Sequence, residues 1–361
     1  MPLVPSYIKK LTSYKPGKPI QEAQRELGLN RIIKLSSNEN PIGPSPKALK
    51  AINNIAYDLH RYPDASGYYL RKKLADKHQI DINNVIIGAG SEGIMSTIIR
   101  TFLLNDDELI SAKNSFIGFR VLANASGKKT HWVPMLNFRY DLNSMAKQIS
   151  DYTKVIYIAN PDNPTGTYIT KEEFDDFYSY VPPRVLIILD EAYFEYSKNN
   201  KDYPDSMSYK YDNVITLRSF SKAYGLGGLR VGYGFAHCTL IENLMKVKVP
   251  FEPSSLAQEA GIAAIEDHDF LSKTLHMNNT EKRFLQRSFE ELDIRYIPSA
   301  TNFVTTIWNT VEKAIGISRK LLDKGIIVRN LSNFGLPYCV RISIGLPEEN
   351  RIFINSLKSI L

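Results

Sequence analysis

The sequence predicts an α/β fold: a large unit on a mainly parallel, seven-stranded sheet, followed by a smaller C-terminal α/β unit. Three observations lead there. From Val85 onward, short β-branched and apolar runs alternate with helical stretches, the pattern of strands joined by crossover helices. One run, residues 185–189, is continuously apolar, as expected of a strand covered on both faces. And 361 residues exceed one minimal core, suiting a large domain plus a smaller one. The division expected is an N-terminal arm over residues 1–41 that packs on the small unit or on a partner subunit, a large domain over 42–250 and a small domain over 251–361.

Taken in order, residues 1–35 read as an arm with a short helix at 20–27, entered through the turn signal Lys15-Pro16-Gly17. A polar, proline-punctuated loop, SSNENPIGPSP, follows at residues 36–46. Strands are expected at residues 85–87, 108–111, 129–133, 155–159, 185–189, 214–217 and 231–236. Past residue 250 the character changes. A long amphipathic helix at 278–292 leads into strands at 302–307, 326–328 and 339–344, with helices at 311–324 and 348–360.

Composition narrows the function classes. A hydrophobic share of 43% and a charged share of 23% are those of an ordinary globular protein. No apolar run is long enough for a signal peptide or a membrane span, so a cytoplasmic protein is expected. Two cysteines, Cys238 and Cys339, stand alone in their segments, and the six histidines form no HExxH or close pair, so neither a disulfide framework nor a metal is expected. The net charge of +7 is spread without a basic run, which favours anionic small molecules over nucleic acid.

Open α/β sheets bind ligands at the carboxyl ends of their strands. There the chain carries RSFSKAYGLGGLRVGYG, residues 218–234. Lys222 leaves the strand at 214–217, with Ser219 and Ser221 before it and Arg230 eight residues after. Two hydroxyls and a guanidinium suit a phosphate, and an amine beside a fixed cation has its pKa lowered, which favours the nucleophile that condenses with an aldehyde. Pyridoxal phosphate is the cofactor such parts would hold; a glycine-rich surface loop with a solvated lysine is the plainer reading. After the first strand comes Gly88-Ala89-Gly90-Ser91-Glu92-Gly93, literally a GxGxxG. A dinucleotide site needs an acid at the end of the next strand, but Glu108 begins that strand, so the loop reads as a phosphate cradle at a helix N-terminus. Asp190 ends the apolar strand, and a buried acid there must be paired. Facing a pyridine nitrogen it would keep the ring protonated as an electron sink, whereas a helix cap is the structural reading.

SFSKAYGLGGLRVGY is similar to the lysine motif of fold-type I, pyridoxal-phosphate-dependent aminotransferases of class I and II. SYKPGKPI, SSNENPIGPSPKAL and HRYPDASGYYLRKKLA resemble the N-terminal segments of the histidinol-phosphate aminotransferases, and NPDNPTG, residues 160–166, matches the family's NPxNPTG. The resemblance implies a role for each matching position. Ala89, Gly90, Ser91 and Glu92, with Ser219, Ser221 and Arg230, would hold the cofactor phosphate, joined by Tyr62 from the neighbouring subunit of a homodimer. Phe116 would stack on the pyridine ring, where a tyrosine is common. Asn163 and Tyr193 would meet its phenolic oxygen, Asp190 its ring nitrogen, and Lys222 its aldehyde. Arg341 in VRISIG would grip the acid group of the substrate, with Arg329, Tyr14 and Asn38 beside it.

The implied reaction moves an amino group from L-histidinol phosphate to 2-oxoglutarate in a ping-pong cycle. Pro250-Phe251-Glu252-Pro253-Ser254 departs from the PFNVN-like residues common in these enzymes, which bears on substrate more than on fold. An aromatic amino-acid aminotransferase and a phosphothreonine-type decarboxylase share the motifs. Further off stand a non-catalytic effector-binding module and an NAD-dependent oxidoreductase.

Overall fold

A computed structural model of the chain describes residues 3–13, 17–209 and 211–361. Thirteen strands occur among them: β1 (Ile33–Lys34), β2 (Val85–Gly88), β3 (Glu108–Ala112), β4 (Thr130–Val133), β5 (Thr153–Ala159), β6 (Leu186–Asp190), β7 (Val214–Ser219), β8 (Gly232–Phe235), β9 (Tyr296–Ile297), β10 (Phe303–Ile307), β11 (Ile326–Ile327), β12 (Arg329–Leu331) and β13 (Leu336–Ser343). The large unit carries the expected seven-stranded sheet, in the order β2-β8-β7-β6-β5-β3-β4. Only β8 runs against its neighbours, pairing antiparallel with both β2 and β7.

Burial on both faces explains why the central strands lack polar alternation. Val155, Tyr157 and Ala159 of β5 point into one core with Ile94, Met95 and Ile98 of the helix Gly90–Phe102. Ile156 and Ile158 point the other way, against Phe174 and Phe177 of the helix Lys171–Tyr178. Parallel register then sets Ala159 beside Asp190, and Asp190 beside Leu217, so three strand ends open onto one crevice.

The C-terminal unit holds the antiparallel sheet β12-β13-β10-β9 over its own core, in which Leu285 and Phe289 meet Val304, Val340 and Phe353. The arm is stitched to it, because β1 pairs in parallel with β11. The strand expected at 326–328 divides: β11 takes the arm, while Arg329 starts β12 in the other sheet. The long helix runs His268–Glu291, ten residues longer at its start than expected, and is capped by Asp267, which accepts from the Phe270 N–H at 3.4 Å. Phe270, Leu271 and Leu275 in its first turns stand at helical spacing, so the earlier start was legible in the sequence. The helix Ser255–Ile265 buries Ala257, Ala260 and Ala264 against Ala48, Leu70 and Leu74 of the large unit. That helix thus packs on the large unit although it follows residue 250.

Beneath the crevice lies a buried ion cluster. Arg218, 1% exposed, donates through Nε to Glu191 at 2.9 Å and pairs with Asp205 at 2.8 Å, its guanidinium 3.3 Å from the Phe194 ring centroid. Glu191 is equally buried, so removing the guanidinium leaves a carboxylate without its countercharge. Arg218→Met is expected to lower unfolding stability by about 3–5 kcal/mol, read from urea denaturation midpoints. An unchanged midpoint would show that the cluster does not support β7.

Candidate active site

Three turns and one helix build the cleft. β2 ends at Gly88, and Gly90, at φ +74°, turns the chain into the helix Gly90–Phe102, whose first N–H groups have no acceptor within the helix. Two contacts explain the glycines. A β-carbon at Gly232 would stand 2.5 Å from the Ser91 amide nitrogen, and one at Gly90 would stand 2.8 Å from Nη2 of Arg230. Across this cradle Arg230 donates to Ser221 Oγ at 3.3 Å and to the Gly227 carbonyl at 3.1 Å, and it pairs with Glu92 at 3.4 Å. The Ser219 hydroxyl accepts the Ser221 N–H at 3.0 Å, which fixes the turn leading to the lysine.

The cleft, about 190 Å³, is lined by Ser91, Glu92, Phe116, Asn163, Asp190, Tyr193, Ser219, Ser221, Lys222 and Arg230, with Ala159, Pro161 and Ala192 between them. Ten residues expected at a cofactor site from scattered motifs thus meet in one place, while Ala89 and Gly90, also expected there, are the cap and first residue of the helix that brings Ser91 and Glu92 to it. Burial, then the nearby Arg341 charge, lowers the Lys222 amine to about 8, with Arg230 adding to the shift and Glu39 and Glu92 opposing it. Desolvation leads, so the neighbouring cations expected to depress this amine act second. Its nitrogen donates to the Ser37 carbonyl at 3.4 Å.

Asp190 is 4% exposed, accepting from the Tyr157 hydroxyl at 2.8 Å and the Ala192 N–H at 3.2 Å. Burial raises its carboxyl to about 6 against these two donors. Asn163 receives the Arg341 guanidinium on Oδ1, which turns its amide N–H groups away from that arginine. Arg341 also donates to the Ser36 carbonyl at 2.9 Å and lies over Phe303 and Phe334.

The remaining expectations separate. Tyr62 is 82% exposed and stacks on Phe251 with centroids 4.5 Å apart, away from this chain's cleft. Arg329 faces Arg341 in strand register but lines a different hollow, with Lys18 and Arg319. Asn38, expected among the substrate-lining residues, is 1% exposed and stands behind Tyr193, its side chain donating to the tyrosine hydroxyl at 2.9 Å. Tyr14 lies outside the described residues.

Motif reading missed the supporting residues. Tyr157 sits two positions before Ala159, the register partner of Asp190, so strand register alone points to it. Asp162, the variable position of NPDNPTG, is fully buried and accepts from Ser115 Oγ at 2.5 Å and Thr165 Oγ1 at 2.9 Å, tying the asparagine turn to the turn that bears Phe116. Nothing in the sequence at Ser115 signals that contact.

The donor set fits pyridoxal phosphate. Helix amides, two hydroxyls and a guanidinium match a phosphate, while an aromatic face, a buried carboxylate and a partly deprotonated amine match a ring that carries a basic nitrogen and an aldehyde.

Comparison with known proteins points to one family. The family described as aminotransferase class I and II matches residues 30–357. A histidinol-phosphate aminotransferase of Idiomarina loihiensis is 39% identical over 99% of this chain and 97% of its own length, and one of Moorella thermoacetica is 41% identical over 98% and 92%. The crystal structure of histidinol-phosphate aminotransferase from Sinorhizobium meliloti, in complex with pyridoxal-5'-phosphate, superposes with a TM-score of 0.91 at 27% identity, covering 100% of this chain and 99% of that one.

Proposed function

The chain belongs to the class I and II aminotransferases, and from that premise we propose that it transfers the amino group of L-histidinol phosphate to 2-oxoglutarate, with pyridoxal phosphate as its cofactor. The observation that carries the chemistry is the meeting of Lys222, Asp190, Asn163 and Tyr193 in one cleft beside a phosphate cradle. The relatives at 39–41% identity carry the substrate.

When bound, the cofactor supplies an electron sink that makes the substrate Cα–H acidic. The protein does the rest. Arg230, Ser219, Ser221 and the amides at Ala89 to Glu92 hold the phosphate, and Phe116 covers the ring face. Asp190 sets its negative charge against the ring nitrogen, while the Asn163 amide and the Tyr193 hydroxyl serve the phenolic oxygen. Lys222 would hold the aldehyde end of the cofactor, and its amine, lowered to about 8, would be placed to take up the proton from the substrate Cα and hold it as an ammonium. Arg341 takes the anionic end of either substrate, since a planar guanidinium accepts carboxylate or phosphate in the same two-pronged manner.

A homodimer belongs to the same proposal. Tyr62 and Phe251 stack on each other while both stay exposed, and Tyr57, Leu59 and Tyr69 are exposed as well, apolar side chains of the kind that a partner covers. Tyr62 would then reach the phosphate of the neighbouring subunit. The cytoplasm is the proposed compartment, supported by two free thiols, Cys238 and Cys339. Among the described residues no helix is long and apolar enough to cross a membrane.

A half-reaction panel tests the substrate. Holoenzyme mixed with histidinol phosphate or glutamate is expected to lose the visible absorbance of its bound cofactor, with phenylalanine and tyrosine slower. Reaction with the aromatic amino acids but not with histidinol phosphate would replace the substrate, and carbon dioxide release from phosphothreonine would replace the reaction.

A further inference from the structure

We propose that Ser343 is a positioning residue that acts through Asn38 to aim the Tyr193 hydroxyl proton into the cleft. Ser343 closes β13 of the small unit and is 3% exposed. Its hydroxyl oxygen accepts the Asn38 backbone N–H at 2.8 Å and donates to Asn38 Oδ1 at 3.0 Å. The two bonds clasp Asn38 in a left-handed backbone, φ 56°, a conformation asparagine tolerates better than most residues. Asn302 adds a third hold, donating from Nδ2 to the Asn38 carbonyl at 3.0 Å.

The clasp settles which way the asparagine amide faces. With Oδ1 occupied by Ser343, Nδ2 is the group turned to Tyr193, and it donates to Oη at 2.9 Å. A phenol has one proton. Because Tyr193 accepts on the Asn38 side, that proton remains for an acceptor in the cleft, whose wall Tyr193 forms. Without the serine hydroxyl the amide is free to turn its oxygen towards the phenol, and the tyrosine proton would then be drawn backwards, away from the cleft. The clasp also crosses between units, since Ser343 belongs to the small sheet and Tyr193 follows β6 of the large one. The aim of the hydroxyl therefore depends on where the small unit sits.

This inference rests on the pyridoxal phosphate reading, in which Tyr193 donates to the phenolic oxygen. A donor there draws off negative charge and loosens the proton held on the neighbouring nitrogen that Lys222 contributes. Losing the donor raises the pH at which that proton leaves. The experiment is a pH titration of the visible absorbance of purified holoenzyme for the wild type, Ser343→Ala, Ser343→Thr, Tyr193→Phe and the Ser343→Ala/Tyr193→Phe double variant.

Ser343→Ala is expected to move the midpoint upward by about 0.5 pH unit or more, Ser343→Thr to titrate as the wild type does, and Ser343→Ala to add nothing in the Tyr193→Phe background. An equal shift in both backgrounds, or none in either, overturns the inference, because a residue that only supports packing has no reason to act through one hydroxyl. A wild-type protein that takes up no pyridoxal phosphate and shows no titratable band would instead overturn the cofactor reading, and the inference with it.

Discussion

Lys222→Ala is expected to lower kcat by about 10⁴-fold and to leave no residue at position 222 to which borohydride can fix the cofactor. The amine is the only lysine nitrogen among those lining the cleft, and three independent features single it out there: its burial, its place on the turn after β7 and the phosphate cradle beside it. Loss of activity through misfolding is separable. Burial lowers the amine to about 8, so below that pH the folded protein carries a desolvated charge that the unfolded chain does not. The cost is greatest below pH 8 and fades as pH rises towards the ordinary lysine value. At neutral pH Lys222→Ala is therefore expected to be at least as resistant to heat as the wild type. Only the free base attacks an aldehyde, so capture of pyridoxal phosphate by cofactor-free wild type should slow about tenfold for each pH unit below 8 and level off above it. A capture rate indifferent to pH, or borohydride labelling of another lysine, would remove Lys222 from its assigned role.

The parts of this site that were legible in the sequence are those in which chemistry and backbone geometry coincide. Asp190 closes a strand and Lys222 and Asn163 sit in the turns that follow two others, all with apolar runs that are easy to read, and the rule that ligands gather at strand ends brings them together before any coordinates are seen. Asn38 shows the limit. As a polar residue in a loop it reads like a substrate contact, yet the fold buries it and commits its amide to Tyr193. That fate depends on Ser343, 305 residues away, and no local pattern encodes such a distance. Tyr157 is hidden for a related reason, because in an apolar strand its ring passes for core and only register reveals the hydroxyl at Asp190. The helix Ser255–Ile265 lies past residue 250, where the character of the sequence changes, yet its small residues pack against Leu70 and Leu74 of the large unit.

Asp190→Asn is expected to lower kcat by about 10³-fold, on the order of 4 kcal/mol at the transition state, while pyridoxal phosphate still binds. The substitution keeps volume and leaves an oxygen to accept from Tyr157 or Ala192, but it removes the negative charge. In the protein alone, burial holds this carboxyl near 6, so at pH 7 most of it is already ionised, and a cation opposite would pull it lower still. Without that charge a ring nitrogen has no reason to keep its proton in a dry cleft, and the sink for the Cα electrons weakens. Tyr157→Phe separates charge from shape. It takes one donor from the carboxylate and so raises its pKa, which means the activity that needs the ionised form is lost at a higher pH as pH falls. The expected kcat change at pH 8 is small, with an acid limb moved upward. If Asp190→Asn turned over at the wild-type rate, or Tyr157→Phe moved the acid limb downward, the carboxylate would have to be reassigned to holding up the end of β6.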